Sequence, residues 1–367
     1  MSEKLINEYR PDTVSIPGET LREVLDDRGM SQAELADRMG RPKKTINEIV
    51  KGKAEVTPET ALQLERVLGI PAPFWTNLER NYRDYVATLS ERESLKGHKE
   101  WLGHFPLKKM EQLGWLQVPE PSTERVRSLL TFFSVSSMEQ WKQRYQREVV
   151  AFRLPQRFSP DIYALTAWLR QGEREAYAIK CAPFEPAQFR ESLRGARALT
   201  REAAPEVFVP DLRRLCAAAG VAVVFLPELK SSRACGATRW LGPQKALIQL
   251  SLRYKSNDQL WFTFFHEAGH IVLHRKREAF VEVRGGSSGS ALLEGEANRF
   301  AADYLIPRAL FEKFVEEGRF DTASVRAFAE RIGIAPGIVA GRLQHDHKVA
   351  FNRLNDLKIR YRWAHES

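Results

Sequence analysis

His266 and His270 stand four residues apart with Glu267 beside the first, in the run His266-Glu-Ala-Gly-His270. On an α-helix, residues i and i+4 share a face, so two imidazoles at this spacing can grip one Zn²⁺ while Glu267 reaches a water on it. The chemistry this suits is amide hydrolysis. The metal lowers the pKa of the water towards ~7, and the carboxylate takes the proton and passes it to the leaving amine. That chemistry needs a helix. Ser256-Asn-Asp-Gln259 has the form of a capping box, and no Pro or Gly intervenes before Gly269. Phe262, Phe265, Gly269 and Val272 recur at steps of three and four, which predicts a buried helix with its histidines on one flank.

Catalytic zinc takes a third protein ligand and keeps a position open for water. A second helical stretch, Leu292 to Pro307, supplies a candidate, with Leu293, Ala297, Phe300, Ala301 and Tyr304 as its buried stripe. Glu294 and Asn298 are one turn apart on it, so the carboxylate can bind metal while the amide orients a ligating histidine. Glu294 is therefore favoured as the ligand, and Glu296, on the other flank, is the alternative. His274 continues the histidine face one turn on, where it either hydrogen-bonds a transition-state oxyanion or caps the helix end. Cys235 is read as a small buried residue near a turn, the alternative being a thiolate latch on the metal.

Upstream, a helix is expected from Pro210 to Ala219, then strands at Val221–Leu226, Ala237–Leu241 and Ala246–Leu252, the third leading into the His266 helix. The edge of such a sheet could pair with a substrate strand. Arg284-Gly-Gly-Ser-Ser-Gly-Ser290 reads as a flexible loop or a disordered insertion.

Four segments together, Gly236-Ala-Thr-Arg-Trp-Leu, Ile248-Gln-Leu-Ser-Leu-Arg-Tyr, His266 to His274, and Glu294-Gly-Glu-Ala-Asn-Arg-Phe-Ala-Ala, resemble the ImmA/IrrE family of zinc metallopeptidases over about residues 185 to 345. The resemblance implies a small gluzincin-like fold, a zinc site of two His and one Glu, and as substrate a helix-turn-helix repressor cut under stress or on mobile-element induction.

The amino-terminal residues point elsewhere. Thr20-Leu-Arg-Glu23 and Ser31-Gln-Ala-Glu34 have the form of capping boxes, Thr57-Pro58 is an N-cap followed by Pro, and Gly29, Gly40 and Gly52 punctuate the helices between. Leu21, Val24, Leu25, Leu35, Ala36, Met39, Ile46, Ile49, Leu62, Leu64 and Leu68 supply a core, which leaves Arg41 to Lys51 as the second helix of a helix-turn-helix pair. Between Arg38 and Lys53 the charged residues are Arg38, Arg41, Lys43, Lys44, Lys51 and Lys53 against Glu48 alone, which suits a phosphate backbone. Arg41, Lys43, Lys44, Thr45, Asn47 and Lys51 are the candidate contacts to double-stranded DNA. The run from Ser31 to Trp75 resembles the HigA-type antitoxins of the Xre class, over about residues 8 to 86. That resemblance implies promoter binding and a homodimer.

With 367 residues, 43% of them hydrophobic, the chain is long enough for two or three domains with real cores. A net charge of +9 suits a nucleic-acid partner. Three scattered cysteines argue against a disulfide framework, and the absence of a leader or a long apolar run predicts a cytoplasmic protein with no membrane partner. Trp101, Trp115, Trp141, Tyr145, Phe152, Tyr163 and Trp168 mark a helical middle region. Near the end, Ala329-Glu-Arg-Ile-Gly333 echoes Ala36-Asp-Arg-Met-Gly40, but no residue from Ile334 to Gly341 is charged, so this second module reads as a packing element.

The expected architecture is α+β and mostly α. A helix-turn-helix domain occupies residues 1–86, a helical connection 87–184, a zinc peptidase domain with a short antiparallel sheet 185–307, and a helical end 308–367. The function expected is that of a zinc endopeptidase and regulator that cuts a repressor or antitoxin, its own chain included. The alternative is a non-proteolytic antitoxin or autorepressor with a ligand- or zinc-sensing site. An intact Glu267 weighs against it, since a sensor needs no general base.

Overall fold

A computed structural model describes residues 14–146, 161–230, 232–274, 280–283, 286–287 and 291–363. The chain divides into two compact units, residues 1–98 and 99–367. No described helix is long and apolar enough to cross a membrane.

Among the described residues the first unit has five helices: α1 (Pro17–Asp27), α2 (Gln32–Met39), α3 (Lys43–Val50), α4 (Pro58–Leu68) and α5 (Ala72–Lys96). Ser31 Oγ accepts from Glu34 N (3.1 Å), and Thr57 Oγ1 from Thr60 N (3.3 Å), so two of the expected caps form. The Thr20 box does not. With Pro17 at its first turn α1 begins four residues earlier, because the ring presets a helical φ and the missing N–H costs nothing there. Leu21, Leu35, Ile46, Leu64 and Trp75 are fully buried, whereas Leu62 is 49% exposed and Val24 only flanks the core. A Cβ on Gly18 would lie 2.2 Å from Ile49 O, so only glycine lets α1 reach the end of α3.

The second unit begins with short helices α6 (Lys99–Gly103), α7 (Leu107–Gln112), α8 (Ser122–Phe133) and α9 (Met138–Trp141), followed by α10 (Ile162–Ala178). Trp101, Trp115, Trp141, Tyr145 and Trp168 are buried, and Trp141 stacks on Tyr163 at 5.2 Å; Phe152 lies outside the described residues. After α11 (Pro186–Leu199) comes α12 (Pro205–Ala217), which starts before the expected Pro210 and runs through it at the loss of one backbone hydrogen bond.

The sheet has the order β1-β3-β2-β4-β5, with β1 (Val221–Phe225), β2 (Ala234–Gly242), β3 (Lys245–Leu250), β4 (Phe280–Val283) and β5 (Gly286–Ser287). The expected antiparallel sheet is in fact mixed, since β1 pairs parallel to β3. Ala246 to Leu250 are all buried, so β3 is an interior strand, with β2 folded back on one side and β1 on the other. Of the stretch expected as a flexible loop, Gly286 and Ser287 pair with β4. Arg284, Gly285 and Ser288 to Ser290 lie outside the described residues.

Beneath the sheet runs α13 (Asn257–Leu273), whose Leu260, Trp261, Phe264, Phe265 and Ala268 join one core with Val221, Ile248, Ala301, Phe328 and Val339. It is buried nearly all round rather than along one stripe, because β2, β3, α14 (Ala291–Leu305) and α17 (Pro336–His345) all pack on it. Gly269 sets the closeness of α14, since a Cβ there would lie 3.1 Å from Phe300 Cδ1 and 3.3 Å from Ala297 Cα. Among the described residues the remaining α-helices are α15 (Arg308–Glu317) and α16 (Thr322–Ile332).

Candidate metal centre and nucleic-acid interface

Helical pitch places His266 and His270 on the side of α13 that faces α14. His266, His270 and Glu294 are buried, and one donor atom from each lies within 4.8 Å of the other two. The two Nε2 atoms are 3.0 Å apart, and Glu294 Oε2 lies 3.2 Å from His266 Nε2 and 3.7 Å from His270 Nε2. Two Zn–N bonds of ~2.05 Å at a tetrahedral angle put their nitrogens ~3.3 Å apart, close to what is seen. Both Glu294 oxygens are buried without a hydrogen-bond donor, and this convergence of lone pairs and anionic oxygen fits a cation. Burial pushes His270 down to about 4, so at neutral pH it is an unprotonated imidazole. Burial alone would raise the Glu294 carboxyl, but the His266 and His270 imidazoles beside it more than offset this and hold the group at about 2.

Glu267 sits on the adjacent side of the helix, fully buried under β2. Its Oε2 accepts from Thr238 Oγ1 at 2.7 Å. A Cβ on Gly236 would come within 2.6 Å of Glu267 Oε1. Positions 236 and 238 share one face of the strand, so a glycine that leaves room and a hydroxyl that orients are spaced for the same carboxylate. Residue chemistry alone missed both; the visible signal is a Gly-x-Thr alternation in a strand next to a buried acid.

Around the donors, Asn298 Oδ1 accepts from His266 Nδ1 at 3.0 Å. Glu296 lies 3.2 Å from His274 Nε2, and His274 Nδ1 lies 2.9 Å from His270 Nδ1. The group of converging donors contains Glu294 and not Glu296. Cys235 is buried at the start of β2 and lines a small cavity with Ser251, Gln259 and Thr263, almost a full turn of α13 before His266. Its thiol is not part of the converging donor group, which leaves the latch without geometric support.

In the first unit, α3 buries Ile46 and Ile49 and turns Lys43 and Lys44 outward, the Lys44 side chain being 84% exposed. Asn47 and Lys51 follow Lys43 at successive turns, and Thr45 is half-buried. Arg41 differs: its Nε donates to Gln63 Oε1, which ties it to α4.

Fold and site together define a helix-turn-helix domain joined to a metallopeptidase-type domain. The helix-turn-helix family model matches residues 21–75, and the model of the IrrE N-terminal-like domain, peptidase family M78, matches residues 216–344. The chain thus carries an Xre-like helix-turn-helix domain, of the kind found in HTH-type transcriptional regulators, and an IrrE-like M78 peptidase domain. It is 36% identical to the uncharacterized HTH-type transcriptional regulator YddM of Escherichia coli K12, over 17% of this chain and 67% of that one. To the virulence-associated protein I of Dichelobacter nodosus it is 40% identical, over 18% of this chain and 62% of that one. Among solved structures, the Pseudomonas aeruginosa antitoxin HigA with the higBA promoter is 29% identical, covers 23% of this chain and 94% of its own, and has a TM-score of 0.22.

Proposed function

We propose that this chain is a zinc-dependent endopeptidase fused to a sequence-specific DNA-binding domain, a regulator that acts by cutting a repressor or antitoxin, its own chain being one such substrate. The observation that carries the reading is the convergence of His266, His270 and Glu294 beside a buried Glu267 that is not among the donors. Three protein donors fit a catalytic site better than a structural one, which takes four. Bound there, Zn²⁺ would supply Lewis-acid activation of a water and of the scissile carbonyl. Thr238 and the space at Gly236 hold Glu267 where it can accept the proton of the attacking water and return it to the leaving amine. Asn298 keeps His266 oriented. On the other unit, Lys43, Lys44, Thr45, Asn47 and Lys51 of α3 would meet phosphates and base edges of an operator, bringing the peptidase to a promoter occupied by a repressor.

The test compares cells carrying the wild-type chain with cells carrying Glu267→Gln, by mass spectrometry of helix-turn-helix proteins before and after induction. A fragment that appears only with the wild type is expected; identical fragment patterns in both strains would rule out proteolysis by this site.

A further inference from the structure

We propose that His274 and Glu296 are a positioning pair for His270, a hydrogen-bonded line that fixes the His270 proton on Nδ1 and turns its Nε2 lone pair towards His266 and Glu294. The proposal rests on reading those three residues as a metal site.

Proton counting along the line carries it. An ionised carboxylate only accepts, so across the 3.2 Å to Glu296 Oε2 the hydrogen belongs to His274 Nε2. A neutral imidazole with its proton on Nε2 has a lone pair on Nδ1. Across the 2.9 Å between the two Nδ1 atoms, the donor is then His270. That leaves His270 Nε2 unprotonated, 3.0 Å from His266 Nε2. The amide oxygen of Asn298 sets the same tautomer of His266 in one step, at 3.0 Å from its Nδ1. Asn298, Glu296 and Glu294 all lie on α14, so a single helix provides the third donor and anchors both histidines. His270 needs an intermediary because its Nδ1 points along α13 towards the helix end. There His274, the C-cap residue, donates its backbone N–H to His270 O (3.1 Å) and lies with its side chain 3% exposed. Glu296 carries the line to the surface, at 43% exposure. Its nearness in sequence to Glu294 makes it look like a rival ligand; its geometry makes it the anchor of a ligand.

Partners that orient a metal histidine typically contribute 10–100-fold in metal affinity. The test uses the full chain labelled with ¹⁵N-histidine, with long-range ¹H–¹⁵N spectra to read each ring's tautomer, metal-free and with one equivalent of Zn²⁺. Zinc dissociation constants come from chelator competition. In the wild type, His270 is expected as the Nδ1–H tautomer in both states. In His274→Phe, metal-free His270 should become a mixture of tautomers and zinc should bind ~10–100-fold more weakly, while His266 keeps its tautomer. Glu296→Ala should cost ~10-fold, and the double variant no more than His274→Phe alone, because a line is broken only once. His274→Gln, whose amide oxygen can accept from His270 Nδ1, should restore the tautomer and most of the affinity. An unchanged His270 tautomer with zinc affinity within twofold in His274→Phe would overturn the proposal, as would additive losses in the double variant. A wild type that takes up no zinc would end the metal reading, and the tautomer of the metal-free chain would still decide the pair.

Discussion

Helices α2–α3 and α16–α17 are built on one local plan and put to opposite uses. Each first helix ends in Ala-x-Arg-(Met/Ile)-Gly, with Gly40 and Gly333 in the left-handed region at φ 63° and 71°. The turns close alike, Arg41 N donating to Ala36 O at 2.9 Å and Ile334 N to Ala329 O at 3.1 Å. Beyond the turn the two diverge. Helix α3 buries only Ile46 and Ile49, whereas α17 buries Gly337, Ile338, Val339, Ala340, Leu343 and Gln344. At Gly337 and Gly341 a Cβ would come within 2.7 Å of Asn257 Oδ1 and 2.6 Å of Asp258 Oδ2, so the backbone of α17 lies directly on the first turn of α13. Counted from the two turn glycines, those positions correspond to Lys44 and Glu48. The turn decides that a second helix follows at an angle; the side chains on that helix decide whether it faces solvent or underpins the helix with the histidines.

The largest effect is expected from Gly341→Leu. The added side chain has no space against Asp258, and we expect a loss of about 3 kcal/mol or more in denaturant unfolding of the second unit, with weakened zinc uptake and unchanged DNA affinity. Stability equal to wild type would show that α17 does not support α13. Glu267→Gln acts on chemistry alone: zinc stoichiometry and unfolding should be retained while substrate cleavage falls ~10²-fold, equivalent to about 2.7 kcal/mol in the barrier. Cleavage at the wild-type rate would remove Glu267 from the role of base.

Acid should distinguish the two units in the metal-free chain. The unfolded chain protonates His270 near pH 6.5, but in the folded chain burial delays this to about 4. The unfolded state therefore holds the extra proton between these values, and stability should fall as pH drops through that window, by about 3 kcal/mol in all. Glu294 remains ionised in both states over most of the window and adds little. Urea unfolding at pH 7 and pH 4.5 should show the loss in the second unit, and His270→Phe should abolish this part of it. The smallest effect is expected at the opposite site: Lys43→Ala with Lys44→Ala should weaken operator binding ~10-fold, reduce the salt slope by about 2, and leave zinc and unfolding unchanged. Equal operator affinity in the double variant would move the DNA contacts off the start of α3.

Much of the converging donor group could be read from residue order, because helical pitch converts a spacing of four directly into a shared face. His266, His270 and the partnership of Glu294 with Asn298 needed little more. Glu296 shows where that reasoning stops. Two residues from Glu294, it lies on another flank, and its partner His274 became visible only once α14 was docked on α13. Gly236 and Thr238 were hidden for the same reason, since the link between a strand and an acid 29 residues later is made by sheet-on-helix packing.

Sequence by itself determined the features that arise within a few residues of one another: the histidine pair and its acid, the caps at Ser31 and Thr57, the left-handed turns at Gly40 and Gly333, and the basic start of α3. Tertiary structure decided the parallel pairing of β1 with β3, the burial of α17, and the assignment of Glu294 to the donors and Glu296 to His274. The physical reason is range. Caps, turns and helix faces are set by bonds and sterics over one turn of chain, whereas strand order, helix docking and the orientation of a buried carboxylate depend on which distant surfaces exclude water together.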